Sequence, residues 1–119
     1  MISVIIPVYN EVDNLNLLNN KLIQALDGPG NGREYEIIYV DDNSTDGSYT
    51  LLREFSRVNK KIKVISLVRN FGQTLAIQAG IDYSQGETLV IMDADLQNEP
   101  ADIPKLLQKM QEGYDVVSG

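Results

Sequence analysis

Five short apolar runs set the limits on what this chain can fold into. They are "ISVIIPV", "YEIIYV", "IKVISLV", "ETLVIM" and "YDVVSG", at residues 2–8, 35–40, 62–68, 87–92 and 114–119. They are rich in β-branched residues and nearly continuous, as expected of parallel strands covered on both faces. Four stretches with helical spacing lie between them. The first starts near Asn10, a cap residue with Asp13 three positions on, and repeats Leu15, Leu18, Leu22 and Leu26. The second starts around Ser44–Asp46 and buries Leu51, Leu52, Phe55 and Val58. The third follows Gly72 and turns Leu75, Ala76, Ala79 and Tyr83 inward. The fourth starts near Asp102 with Pro104 in its first turn, where a missing N–H costs nothing, and turns Ile103, Leu107 and Met110 inward.

The order βαβαβαβαβ predicts an α/β fold: a doubly wound, mostly parallel sheet of about five strands and four helices with right-handed crossovers. At 119 residues the chain suits one domain, residues 1–119, able to bury most of its apolar surface without a staple. "GPGNG" at 28–32 follows a helix and precedes a strand, the reverse of a phosphate-binding glycine loop, so it reads as a helix stop. "NST" at 43–45 has the form of a glycosylation sequon, with no secretion signal to support that use.

Ligands of open parallel sheets sit beyond the carboxyl ends of the strands. The first strand is followed there by Pro7, Tyr9, Asn10 and Glu11, and the second by "DDNSTDGS". The third is followed by "RNFGQ" and the fourth by "DADLQNEP". The chemistry open to these loops is narrow. The chain has no His and no Cys, so catalysis or metal binding must use carboxylates, amides or hydroxyls.

Asp93 and Asp95, one residue apart, repel each other unless something compensates them. A divalent cation does so. Mg²⁺ and Mn²⁺ prefer oxygen, and Mg²⁺ often takes one or two carboxylates with substrate phosphates completing its shell. Gln97 adds a neutral carbonyl oxygen, so Asp93-x-Asp95-x-Gln97 reads as a sparse metal site finished by a diphosphate. The plainer alternative is a pair of Asp residues capping the next helix. Asp41 and Asp42 form a second pair, suited to accept a ring N–H of uracil or guanine, with the aromatic face of Tyr9 close by. Ser44 and Asp46 are assigned to capping instead. Arg69 can neutralise a phosphate, and an ion pair with a neighbouring Asp would serve it equally well.

The segments "VIIPVYNE", "YVDDNSTDGS", "RNFGQTLAIQAGIDYSQGE" and "MDADLQNEP", in this order and spacing, resemble the family-two glycosyltransferases of GT-A fold. The "RNFGQ" and "DADLQ" forms are most similar to the branch of dolichyl-phosphate mannose synthase and the bacterial polyprenyl-phosphate glucosyltransferases. The resemblance implies a UDP- or GDP-sugar donor lying across the rim. Pro7, Tyr9, Glu11, Asp41 and Asp42 match positions around base and ribose. Asp93 and Asp95 match the catalytic metal–diphosphate motif, and Gln97 an added metal ligand for Mg²⁺ or Mn²⁺. The implied reaction is inverting transfer of one sugar to a polyprenyl phosphate at the cytosolic face of a membrane. A phosphate monoester, with a second pKa near ~6, is already a dianion at neutral pH and needs little help from a base. A site without His suits it.

Family members continue well past "YDVVSG", so the chain resembles their N-terminal, nucleotide-binding part, expected to bind donor weakly and not to turn over alone. No apolar run reaches the ~18 residues of a membrane span, and the expected setting is cytosolic or cytosol-facing. The formal charge of −7 argues against a nucleic-acid partner; self-association into a homo-oligomer stays open. Two other classes fit less well. A receiver-type Mg²⁺-binding signalling domain would need an acidic pair after the first strand, a lone Asp after the third and a Lys after the fifth. A nucleotidyltransferase would bring a glycine-rich basic loop where "PVYNEVDN" stands.

Overall fold

The computed structural model describes residues 1–28 and 34–94, together with the backbone of residues 116–118. Its strands are β1 (Ile2–Val8), β2 (Tyr35–Asp41), β3 (Ile62–Ser66), β4 (Thr88–Ile91) and β5 (Val116–Ser118). Its helices are α1 (Val12–Asp27), α2 (Ser48–Val58) and α3 (Gln73–Tyr83). The five strands form one parallel sheet in the order β3-β2-β1-β4-β5. The expected α/β, doubly wound parallel sheet is therefore the one observed. The order also separates it from the receiver-type alternative, whose sheet runs 2-1-3-4-5.

Side-chain alternation along each strand decides which helix covers which face. Ile2, Val4, Ile6 and Val8 of β1 pack on one side with Leu15, Leu18, Leu22 and Leu26 of α1 and Leu52 of α2. Ile5 of β1 with Ile38 and Val40 of β2 packs on the other side against Ala76 of α3. Each of these large side chains stabilises the fold by about 1.5–3 kcal/mol through burial. α3 comes unusually close to the sheet at Gly80, where a Cβ would lie 2.5 Å from Ile5 Cγ2. On the α1 side, the buried Tyr39 hydroxyl donates to Asn19 Oδ1 at 2.8 Å, which satisfies both polar groups.

A polar cluster closes the amino ends of the strands. Glu36 is buried on the α3 face, yet it is fully engaged. It accepts from Lys63 Nζ at 2.6 Å, from Ser3 Oγ at 2.6 Å and from the Gln85 N–H at 2.7 Å. Ser3 Oγ in turn accepts the Gly86 N–H at 2.8 Å. This ties β1, β2, β3 and the turn before β4 together, at the end of the sheet opposite the ligand rim.

The structure corrects several local expectations. α1 starts at Val12, with Glu11 as its cap position, and Asn10 does not cap it. Asn10 has a φ of 54°, in the left-handed region that Asn tolerates better than most residues, and its side chain is taken by another loop. α2 starts at Ser48 rather than at 44–46, because Gly47 at φ 93° holds the cap position. Val58 is exposed at the last turn of α2, and Leu75 and Tyr83 are exposed on α3, so none of the three joins the core. Ala76 is fully buried and Ala79 packs at the edge of the α3-side cluster. The expected fourth helix lies outside the described residues.

Candidate functional site

The loops after β1 and β2 are joined residue by residue. Asn10 N–H donates to Ser44 Oγ at 2.9 Å, and Asn10 Oδ1 accepts the Thr45 N–H at 2.8 Å. Glu11 N–H donates to Ser48 Oγ at 3.1 Å, and Val12 N–H to Asp46 Oδ2 at 3.1 Å. Asp46 Oδ1 also accepts the Ser48 N–H at 3.0 Å and the Ser48 hydroxyl at 2.6 Å. One carboxylate thus serves the first turns of two helices, whose leading N–H groups have no partner within the helix. Desolvation works against its charge, but the Ser48 hydroxyl and the Val12 and Ser48 N–H groups outweigh it and hold the carboxyl below the ordinary Asp value. The network fixes the backbone on which Tyr9 and Glu11 stand.

Asp41 and Asp42 are both buried, and they point to different tasks. Asp41 Oδ2 accepts the Ser44 N–H at 3.1 Å, and its Oδ1 is buried with no hydrogen-bond partner among the described residues. Asp41 therefore shares the turn-forming work that the sequence assigned to Ser44 and Asp46. Asp42 reaches across to the loop before α3. Its Oδ1 accepts the Phe71 N–H at 2.7 Å and its Oδ2 the Gly72 N–H at 2.9 Å. Gly72 has a φ of 95°, which a side chain would strain.

These loops surround a cavity of about 360 Å³ at the carboxyl ends of β1 and β4. It lies where the strand order departs from β1 in two directions, the usual ligand position of a doubly wound sheet. Pro7, Tyr9, Glu11, Asp42 and Asp93 all line it, with Gln73 and Ala76 contributed by α3. Five of the residues expected from the sequence are thus brought together. Asp41 is not on this wall. Arg69 is exposed, with its guanidinium 4.7 Å from the centroid of the Phe71 ring, a cation–π contact beside the Asp42-bound turn. Asp95 and Gln97 lie outside the described residues.

Asp93 is half-buried, and its Oδ1 accepts from Gln73 Nε2 at 2.8 Å. Its other oxygen takes no hydrogen bond among the described residues. A free carboxylate oxygen at the mouth of a polar cavity fits a hard divalent cation. Among the described residues no group of three or more His, Cys, Asp or Glu side chains forms a complete cage. A cation held through Asp93 therefore calls for further oxygens, of the kind a diphosphate carries. Four lining residues were not singled out as site residues from sequence: Val8, Ala94, Gln73, which touches Asp93, and Ala76 of α3. The signal for Gln73 was its place immediately after a Gly at the end of "RNFGQ". The signal for Ala76 was its place on the inward face of α3.

The chain is also similar to known proteins. The profile of the family described as "Glycosyl transferase family 2" matches residues 3–119. The chain is 45% identical over 117 residues to an undecaprenyl-phosphate 4-deoxy-4-formamido-L-arabinose transferase of Edwardsiella ictaluri, covering 98% of the chain and 35% of that protein. It is 41% identical over 115 residues to the uncharacterized glycosyltransferase YkcC of Bacillus subtilis, covering 97% of the chain and 35% of that protein. The chain thus spans about a third of the length of the curated relatives it matches. Among solved structures, the mannosyltransferase PcManGT from Pyrobaculum calidifontis, in complex with GDP-Man and Mn²⁺, aligns with a TM-score of 0.68 and 27% identity. That alignment covers 79% of this chain and 27% of that one. TarS from S. aureus in complex with UDP-GlcNAc aligns with a TM-score of 0.67 and 28% identity, over 88% of this chain and 31% of that one.

Proposed function

The chain belongs to glycosyl transferase family 2, and from that premise we propose that it is the donor-binding part of an inverting sugar transferase. The donor is a UDP- or GDP-sugar, and the acceptor a polyprenyl phosphate presented at the cytosolic face of a membrane. The observation that carries this reading is the convergence of Asp42 and Asp93, from loops after different strands, on one cavity beside Tyr9. The relative named as an undecaprenyl-phosphate transferase supports the acceptor class, and the structural neighbours with GDP-Man or UDP-GlcNAc support the donor class.

Each residue then has a task. Tyr9 offers an aromatic face to the base. Asp42 already accepts two backbone N–H groups, but a carboxylate has about four lone-pair sites, so it can accept a ring N–H as well. Glu11 accepts from Asn14 Nδ2 at 2.8 Å through one oxygen and keeps the other for a ribose hydroxyl. Pro7 shapes the wall between them. Asp41 stiffens the turn behind Asp42, and Arg69 is the cation assigned to the phosphates. Asp93, with Asp95 and Gln97, would hold Mg²⁺ or Mn²⁺, which when bound neutralises the departing diphosphate as a Lewis acid. The acceptor phosphate, a dianion near neutral pH, attacks without a protein base.

Calorimetric titration of UDP and GDP, with and without Mn²⁺, tests the donor assignment. Metal-dependent binding that Asp95→Asn abolishes is the expected result, and the tighter nucleotide names the base. If neither nucleotide binds the folded chain, the donor-binding role of this segment is rejected.

A further inference from the structure

The turn before α3 links the two acidic loops of the cavity. Asp42, after β2, holds the N–H groups of Phe71 and Gly72. The next residue, Gln73, donates its side-chain amide to Asp93, after β4. A carboxylate can only accept, so the Gln73 nitrogen must face Asp93. The bond engages Oδ1, while Oδ2 accepts no hydrogen bond among the described residues. Gln73 is itself exposed and packs in no core cluster, so its placement serves the cavity rather than the fold.

We propose that Gln73 is a positioning residue that orients the Asp93 carboxylate for a divalent cation and a nucleotide diphosphate, with the Asp42-bound turn as its anchor. The inference rests on the donor-binding reading above. Gln73 acts through Asp93: it restricts rotation of the carboxylate and partly offsets its charge before a cation arrives. Partners of this kind around a metal ligand typically set affinity by 10–100-fold.

The test uses two variants and two readouts. Gln73→Ala removes the amide, and Gln73→Met keeps the length of the side chain while removing the donor without adding charge. Titration of UDP and GDP with Mn²⁺ and with EDTA separates metal-dependent from metal-independent binding. In both variants the gain in affinity from Mn²⁺ is expected to fall about tenfold, with the melting temperature unchanged. A full Mn²⁺ gain in both variants overturns the inference and leaves the donor-binding reading standing. Nucleotide binding with no Mn²⁺ gain in the unaltered chain overturns the inference alone, and no nucleotide binding at all overturns both. Independently of nucleotide, the side-chain amide resonances of Gln73 should move in Asp93→Asn and stay in place in Asp82→Asn. Asp82 accepts from Gln78 instead. Gln73 resonances unmoved in Asp93→Asn would overturn the contact and the inference with it.

Discussion

Asp46 caps a helix to which it does not belong. Its Oδ2 accepts the Val12 N–H at 3.1 Å across 34 residues of sequence, while its Oδ1 accepts the N–H of Ser48, the first residue of α2. Loss of one cap costs about 0.5–2 kcal/mol. Asp46→Ala should therefore destabilise the chain by about 2 kcal/mol, more than a single cap typically would, and Asp46→Asn by less. Urea denaturation with an unchanged m-value would confirm it. A loss of under about 0.5 kcal/mol would mean that water replaces the carboxylate at both helix ends.

The Glu36 cluster predicts how stability depends on acid. Burial opposes the Glu36 charge, but the Gln85 N–H, the Lys63 ammonium and the Ser3 hydroxyl outweigh it and hold the carboxyl below the ordinary Glu value. A carboxyl with a depressed folded pKa binds protons more readily when unfolded. Its stabilisation is present above the unfolded value, near ~4.3, and is lost as pH falls through the folded one. Stability followed from pH 6 to pH 3 should fall, and Glu36→Gln should flatten that slope. Lys63→Met should be destabilising at pH 6, by about 3 kcal/mol if Glu36 is left charged and buried.

At Gly80 two effects oppose each other. Gly→Ala inside a helix ordinarily gains up to about 1 kcal/mol. Here the new Cβ would lie 2.5 Å from Ile5 Cγ2 and 3.2 Å from Val40 Cγ2, both on rigid β-branched side chains in the sheet. Overpacking costs about 1–3 kcal/mol, so Gly80→Ala should lower the melting temperature despite its better helix propensity. A rise would show that α3 can lift off the sheet at little cost.

Asp42 should be visible in hydrogen exchange. Its carboxylate holds the Phe71 and Gly72 N–H groups, and hydrogen bonds to charged groups contribute about 1.5–3 kcal/mol. Asp42→Ala should speed exchange at those two amides by about tenfold or more, with the amides of β1 unchanged. Nucleotide affinity should fall in the same variant. Unchanged exchange at Phe71 and Gly72 would show that the turn holds itself.

Much of the sheet was legible in the sequence because its signal is local. "ISVIIPV" coincides with β1, and its unbroken apolar character reflects helices on both faces. The helix starts were less legible because their caps are not local. Asn10 looks like a cap in sequence, yet it turns to Thr45, and the first N–H of α1, at Val12, is met by Asp46 from another loop. Helical spacing also continues past the buried part of a helix, which is why Val58 and Tyr83 were expected inside and lie outside. Pro7, Tyr9, Glu11, Asp42 and Asp93 were picked out because strand ends mark the rim, and all five line the cavity. Gln73 was not picked out, because a neutral amide carries no mark of its partner until the fold brings Asp93 to it.

Functional loops are commonly where a fold accepts insertions. The two loops joined through Asn10, Glu11, Val12, Ser44, Thr45, Asp46 and Ser48 have no such freedom. One added residue in either would shift its donors away from acceptors in the other, breaking contacts that set both helix starts. Their lengths are therefore locked to each other. An insertion that changes specificity at this cavity therefore has to leave these two loops at their present lengths.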